Sequence, residues 1–126
     1  MRITCWNCRG LGIDLTVRRL KEITHCYLSD IICLSETKQQ DDRVRDVACE
    51  LGFLFHVTVQ PIGLSGGLVV LWKHSLEVSV LFQSPNLVDC LVKSNETSFY
   101  FSFVYGPPNP SFRNDLWERL ERIGIN

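Results

Sequence analysis

Three things that the 126-residue sequence lacks exclude several classes of protein. Its 13 Lys and Arg nearly cancel its 14 Asp and Glu, so the net charge of −1 gives no basic footprint for strong non-specific nucleic-acid binding, although a local groove can still be basic. The longest apolar run, Leu68 to Trp72, is far shorter than the ~20 residues that span a bilayer. The first residues turn polar at once and show no secretory leader, so we expect an intracellular protein that is neither secreted nor bound to a membrane.

Disulfides are not expected either, although the chain has 6 cysteines. Without a secretory leader these cysteines are interpreted as reduced and mostly buried small hydrophobes. Cys5 and Cys8 have the spacing of half a zinc site. No second pair follows, and a strand would point the two thiols to opposite faces, so a zinc site is disfavoured.

The length and composition of the sequence predict one α/β domain over residues 1–126, because a hydrophobic content of 45% supports a core. Residues 2–8 read as a strand, and the apolar run at 31–34 as a strand covered on both faces. Between them lies a helical pattern that Asp14 or Thr16 can cap. A β-α-β unit makes its two strands parallel.

The second part of the sequence predicts another helix and then mostly short strands. The helix is capped by Asp41 or Asp42, and Gly52 follows its end. Alternating or continuous apolar patterns then predict strands at 53–59, 68–72, 76–82, 87–92 and 99–104. Turns at 65–67, 73–75 and 94–96 have hairpin-like spacing, and Ser111 can cap a last helix.

Polar side chains follow three of these strands. Asn7 and Glu36 lie past the carboxyl ends of the two parallel strands, at the edge where open α/β sheets bind their ligands. Tyr105 ends a later strand, and Lys38 follows Glu36. Carboxylate and amide oxygens suit Mg²⁺, and a divalent ion with a lysine can clamp a phosphate. Taken singly, each residue is also an ordinary turn, cap or surface residue.

Four segments in this order strengthen the site interpretation. They are Trp-Asn-Cys-Arg-Gly-Leu-Gly at 6–12, Leu-Ser-Glu-Thr-Lys at 34–38, Ser-Gly-Gly-Leu at 65–68 and Val-Tyr-Gly-Pro-Pro at 104–108. The sequence resembles the N-terminal part of an endonuclease/exonuclease/phosphatase domain, and most of all the endonuclease of plant LINE-type (non-LTR) retrotransposons. The resemblance implies the N-terminal portion of a four-layered α/β sandwich of the DNase I-like kind. It also implies Mg²⁺-dependent cleavage of DNA and allows a nuclear location.

The resemblance also implies roles for particular residues. Glu36 matches the metal-binding carboxylate of the family, and Asn7 matches the asparagine beside the metal and the phosphate. Tyr105 matches the tyrosine that contacts the scissile phosphate. Lys38 and Arg9 are adjacent candidates for contacts with phosphate or DNA.

The sequence departs from the family pattern after Tyr105. The family continues with a Gly-Asp-Phe-Asn segment and a Ser-Asp-His segment, and neither occurs here. Later acidic residues are Asp115, Glu118 and Glu121, and no histidine follows His74. We therefore expect a truncated domain that lacks the C-terminal half and the general base, with negligible nuclease activity. The alternatives are a non-catalytic remnant that pairs with another chain through an open sheet edge and, less favoured, a phosphatase of the same superfamily.

Overall fold

The computed structural model describes residues 1–63, 65–95, 97–106 and 118. Two helices and seven strands lie within this part of the chain. In order they are β1 (Ile3–Asn7), α1 (Asp14–Tyr27), β2 (Ile31–Ser35), α2 (Asp41–Leu51), β3 (Phe55–Val59), β4 (Leu68–Trp72), β5 (Glu77–Ser84), β6 (Leu87–Lys93) and β7 (Ser98–Val104). The helix predicted from Ser111 lies outside the described residues, apart from Glu118, which is helical.

The strands form two sheets. The first has the order β1-β2-β4-β3, with β1 and β2 parallel and the other neighbours antiparallel. The second is antiparallel, with the order β5-β6-β7. The predicted β-α-β unit is therefore confirmed, and its register places Asn7 beside Ser35, one residue before Glu36.

Two hydrophobic cores cover the two faces of the first sheet. Because side chains alternate along a strand, β2 sends Ile32 and Leu34 to the core that contains the helices, and Ile31 and Cys33 to the core between the sheets. All five residues of β2 are buried, as the continuous apolar run predicted. Burying one such aliphatic side chain contributes ~1.5–3 kcal/mol, so this central strand fixes the register of its neighbours.

The predicted helix caps were wrong. The cap residues are Ile13 and Gln40, and neither makes a side-chain cap hydrogen bond. Asp14 and Asp41 are instead the first residues of α1 and α2, where a carboxylate still interacts favourably with the positive end of the helix dipole. Gly52 was predicted correctly: it adopts φ 82° after α2.

Several strand and turn boundaries also differ from the prediction. Phe53 precedes β3, because its N–H donates to the carbonyl of Ala48 and its ring fills the helix-side core. Leu76 likewise precedes β5, which extends to Ser84. The turn at 73–75 is not a hairpin, since β4 and β5 belong to different sheets.

The cysteines are all free, but only Cys8, Cys33 and Cys90 are buried. Cys5, Cys26 and Cys49 are exposed, so the expectation of mostly buried thiols was wrong for these three. Cys5 is exposed because β1 is an edge strand of its sheet.

No helix in the described part of the chain is long and apolar enough to cross a membrane.

The turn before β4 is built on two glycines. Gly66 and Gly67 have φ values of 82° and 97°, a region that residues with a Cβ rarely adopt. A Cβ on Gly67 would collide with the hydroxyl of Thr37, whereas one on Gly66 would meet nothing within 4 Å. Only Gly67 therefore serves both the turn and the close contact of this loop with the loop after β2.

We expect Gly67→Ala to destabilise the fold more than Gly66→Ala. Both variants incur the left-handed backbone penalty of about 1–2 kcal/mol. Gly67→Ala adds the overpacking cost against Thr37, about 1–3 kcal/mol. Urea unfolding followed by circular dichroism measures the difference, and equal losses of stability would show that the contact with Thr37 is not a constraint.

Candidate functional site

Three loops meet at the carboxyl edge of β1 and β2. The N–H of Gly10 donates to the carbonyl of Glu36 at 2.8 Å, and the N–H of Lys38 donates to the carbonyl of Gly66 at 2.9 Å. These bonds continue the hydrogen-bonding pattern of the first sheet beyond its strands. The backbone of the loop after β2 is thereby held on both sides.

Arg9, Glu36 and Lys38 have left-handed backbone conformations that are unusual for residues other than glycine. Their φ values are 52°, 54° and 56°. Each such conformation costs on the order of 1–3 kcal/mol and persists only where the surroundings impose it. Here the backbone hydrogen bonds between the loops impose it. Such strain is typical of functional sites, and all three residues were among the predicted site residues.

Glu36 accepts a hydrogen bond from a residue 69 positions later in the chain. The hydroxyl of Tyr105 donates to Oε1 of Glu36 at 2.7 Å. Glu36 follows a strand of the first sheet and Tyr105 follows β7 of the second, so the bond joins the two sheets at one edge. The Asn7 side chain also lies close enough to the Glu36 carboxylate to lower its pKa.

These contacts keep Glu36 ionised. The hydrogen bond from Tyr105 is the largest cause that lowers the pKa of Glu36, and partial burial opposes it. The neighbouring Asn7 side chain and the charges of Lys38 and Arg9 lower the pKa further. In turn, burial and the bond to Glu36 raise the pKa of Tyr105. At neutral pH the site therefore presents a carboxylate and a neutral phenol that donates to it.

Asn86 positions Tyr105, and the sequence interpretation missed it. The Tyr105 N–H donates to the Asn86 carbonyl at 2.8 Å, and the Asn86 side-chain amide donates to the Tyr105 carbonyl at 3.1 Å. Pro85-Asn86 looks like an ordinary turn sequence. Only the pairing of Leu87 with Val104 places Asn86 beside Tyr105.

The structure thus brings all five predicted site residues to one place. Tyr105 is hydrogen-bonded to Glu36 and Asn7 lies beside the same carboxylate, while Lys38 and Arg9 are exposed and act on Glu36 through their charges. The roles assigned to them remain predictions. The donor chemistry of Glu36 and Asn7, one carboxylate and one amide oxygen, fits a hard divalent cation. No group of three or more His, Cys, Asp or Glu that could hold a metal occurs among the described residues.

Residues 4–125 match the model of the Endonuclease/Exonuclease/phosphatase family. None of the characterised proteins compared by sequence matches the chain.

Solved structures with the same fold include several enzymes. The endonuclease domain of TRAS1, a telomere-specific non-LTR retrotransposon, superposes with a TM-score of 0.68 at 15% identity, over 97% of this chain and 52% of that one. TDP2 of D. rerio complexed with a single-strand DNA product superposes with a TM-score of 0.65 at 21% identity, over 97% of this chain and 54% of that one. The human Nocturnin catalytic domain with bound sulfate superposes with a TM-score of 0.70 at 14% identity, over 98% of this chain and 58% of that one.

The chain therefore spans a little over half the length of each of these three solved structures. At these identities the likeness shows the fold, a partial DNase I-like arrangement of two sheets with helices outside. The matched residues 4–125 cover nearly the whole sequence. On this evidence the chain belongs to the Endonuclease/Exonuclease/phosphatase family, whose members generally use a divalent metal ion.

Proposed function

We propose that this chain supplies the metal-binding and phosphate-binding residues of a Mg²⁺-dependent hydrolase of DNA phosphodiester bonds. The observation that carries the proposal is the 2.7 Å hydrogen bond between Tyr105 and Glu36, which places an ionised carboxylate among Asn7, Lys38 and Arg9. A surface carboxylate with an ordinary role would need neither a bond from the second sheet nor a strained backbone.

Glu36 and Asn7 are the residues that would hold Mg²⁺, because hard oxygen ligands are those that Mg²⁺ prefers. When bound, the ion would offset negative charge on a phosphate during hydrolysis. Magnesium usually keeps several waters and shares its coordination with substrate phosphates, so two protein ligands suffice for a site of this type.

The remaining residues bind and orient the phosphate. Lys38 and Arg9 carry fixed positive charge beside the Glu36 carboxylate, and both are exposed enough to reach a substrate. Tyr105 holds Glu36 in its ionised form and presents its hydroxyl at the same point. Asn86 fixes the backbone of Tyr105 and acts only through it.

The proposal also specifies DNA as the substrate and a retroelement as the origin of the chain. The TRAS1 endonuclease has the same fold, and the D. rerio TDP2 structure contains a DNA product. The amino-acid sequence of residues 6–12 favours the endonucleases of LINE-type retrotransposons, including those of plants, over the phosphatases. A nuclear location would follow from a DNA substrate.

The proposed reaction also needs a general base, which the described site does not contain. The side chains that shift the pKa of Glu36 are Tyr105, Asn7, Lys38 and Arg9, and none is a histidine or a second carboxylate. His56 contacts Asp41 at 3.6 Å instead. Since a general base contributes about 10²–10⁴ in rate, we propose that this polypeptide alone binds the metal but hydrolyses DNA very slowly.

Metal binding tests the first half of the proposal. We expect the chain to bind Mn²⁺, a spectroscopic substitute for Mg²⁺, and Glu36→Gln to weaken that binding by at least about tenfold. Loss of a residue that only supports a metal ligand already costs ~10–100-fold. Electron paramagnetic resonance measures free Mn²⁺. Glu77→Gln, at the exposed start of β5, is the matched control, and equal affinity in the two variants would refute the assignment of Glu36.

Plasmid nicking in Mg²⁺ tests the second half. We expect the 126-residue chain to convert supercoiled plasmid no faster than Glu36→Gln. The reason is that neither protein has a base at the described site. Nicking by the wild-type chain that disappears in Glu36→Gln would show that these residues suffice for hydrolysis, and the proposal of inactivity would be wrong.

The pKa of Glu36 should rise toward its ordinary value in Tyr105→Phe, because the variant removes the main group that lowers it. The wild-type carboxylate stays ionised to a lower pH than that of the variant. Its stabilising bond is therefore present above the ordinary pKa of a glutamate and is lost as the pH falls through the lowered value. Carboxyl NMR titration in metal-free buffer gives both midpoints. Tyr100→Phe, an exposed tyrosine of β7, should leave the midpoint of Glu36 unchanged; an unchanged midpoint in Tyr105→Phe would contradict the assigned bond.

A further inference from the structure

A groove of about 570 Å³ adjoins the Glu36 site. It lies between the loop that follows β1 and the first turns of α1, and it shares Asn7 and Arg9 with the site. Its volume falls in the range of small-molecule sites in proteins, ~300–1,000 Å³. The groove and the Glu36 site therefore form one continuous surface, joined by two residues.

The walls of the groove are basic and apolar. Among the described residues, Arg9 and Arg19 are the charged residues that line it, and no carboxylate of this part of the chain does so. Asp14, in the first turn of α1, is the nearest acidic residue in sequence and is not part of the lining. Ile13 and Leu15 also line the groove, and they are 56% and 53% exposed, so they offer apolar surface to a ligand.

A groove that combines arginines with apolar side chains favours some ligands over others. Two guanidinium groups attract a phosphate, and Arg binds phosphate oxygens through two parallel hydrogen bonds. An apolar wall gains nothing from a duplex, whose bases are stacked inside, but it can cover the flat face of an unpaired base. Proteins that bind single-stranded nucleic acids combine a basic groove with side chains, usually aromatic, on which unpaired bases stack. Here the exposed aliphatic side chains offer that surface.

We propose that the groove binds one unpaired nucleotide next to the scissile phosphate. The phosphate of that nucleotide lies between Arg9 and Arg19, and its base packs on Ile13 and Leu15. The inference rests on the proposed function and narrows its substrate class to DNA with a single-stranded segment at the cleavage site. Arg9 contributes to both sites, and Arg19 belongs to the groove alone.

Fluorescence anisotropy with a labelled oligothymidylate in EDTA tests this inference. EDTA removes divalent metal, so a failure of the proposed metal site cannot cause a loss of binding. We expect Arg19→Gln to weaken binding roughly 5–10-fold at about 50 mM salt and to reduce the slope of log affinity against log salt by ~0.7, the loss of one phosphate contact on a single strand. Arg18→Gln, the exposed neighbour on α1 that does not line the groove, should change neither quantity.

A second pair of variants tests the apolar wall. Leu15→Ser should weaken binding to the single strand by about threefold or more, because it removes the surface under the base, and it should leave duplex binding unchanged. Leu81→Ser, at 52% exposure on β5, is the matched control. Both leucines are largely exposed, and circular dichroism confirms that each variant is folded.

Three results would overturn the inference. They are equal losses in Arg19→Gln and Arg18→Gln, equal affinity of the wild-type chain for duplex and single strand, and no binding of the oligonucleotide even at low salt. The proposed function is decided separately by the Mn²⁺ measurement, so either proposal can fail while the other stands.

Discussion

The hydrogen bond between Tyr105 and Glu36 is the interaction on which the geometry of the candidate site depends. Both groups follow the ends of strands, but the strands belong to different sheets, and 69 residues separate them. The bond forms only if β7 reaches the correct register on β6 and the two sheets pack through the core that contains Cys33, Val88 and Phe103. The geometry of the candidate site therefore depends on how the two sheets of the described residues pack together.

The strained backbone of the site depends on the same packing. Arg9, Glu36 and Lys38 remain left-handed because the adjoining loops supply hydrogen bonds that an isolated turn would lack. Gly67 allows one of these loops to approach, since any side chain there would meet Thr37. The site thus gains its fixed arrangement from contacts between loops, and the local sequence of each loop would favour other conformations.

Sequence reasoning predicted which residues would form the candidate site, but it did not predict the contacts that hold them together. A β-α-β unit has one dominant arrangement, so the position of Asn7 beside the segment of Glu36 followed from the pattern alone. The relation between Tyr105 and Glu36 did not, because spacing within a chain says nothing about how two sheets pack. Asn86 was missed for the same reason. The helix caps and the turn at 73–75 were wrong because local propensity was overridden by tertiary structure.

Net charge is a poor guide to what this edge binds. The chain as a whole carries −1, yet Arg9 and Lys38 stand beside Glu36, and Arg9 and Arg19 line the adjoining groove. The net charge averages over the whole chain, whereas salt at 0.1 M screens exposed charges that are more than about 10 Å apart. A phosphate near the groove would experience mainly the local guanidinium groups. Because Arg9 faces both the carboxylate and the groove, it offsets the repulsion that an ionised Glu36 would otherwise exert on an incoming strand.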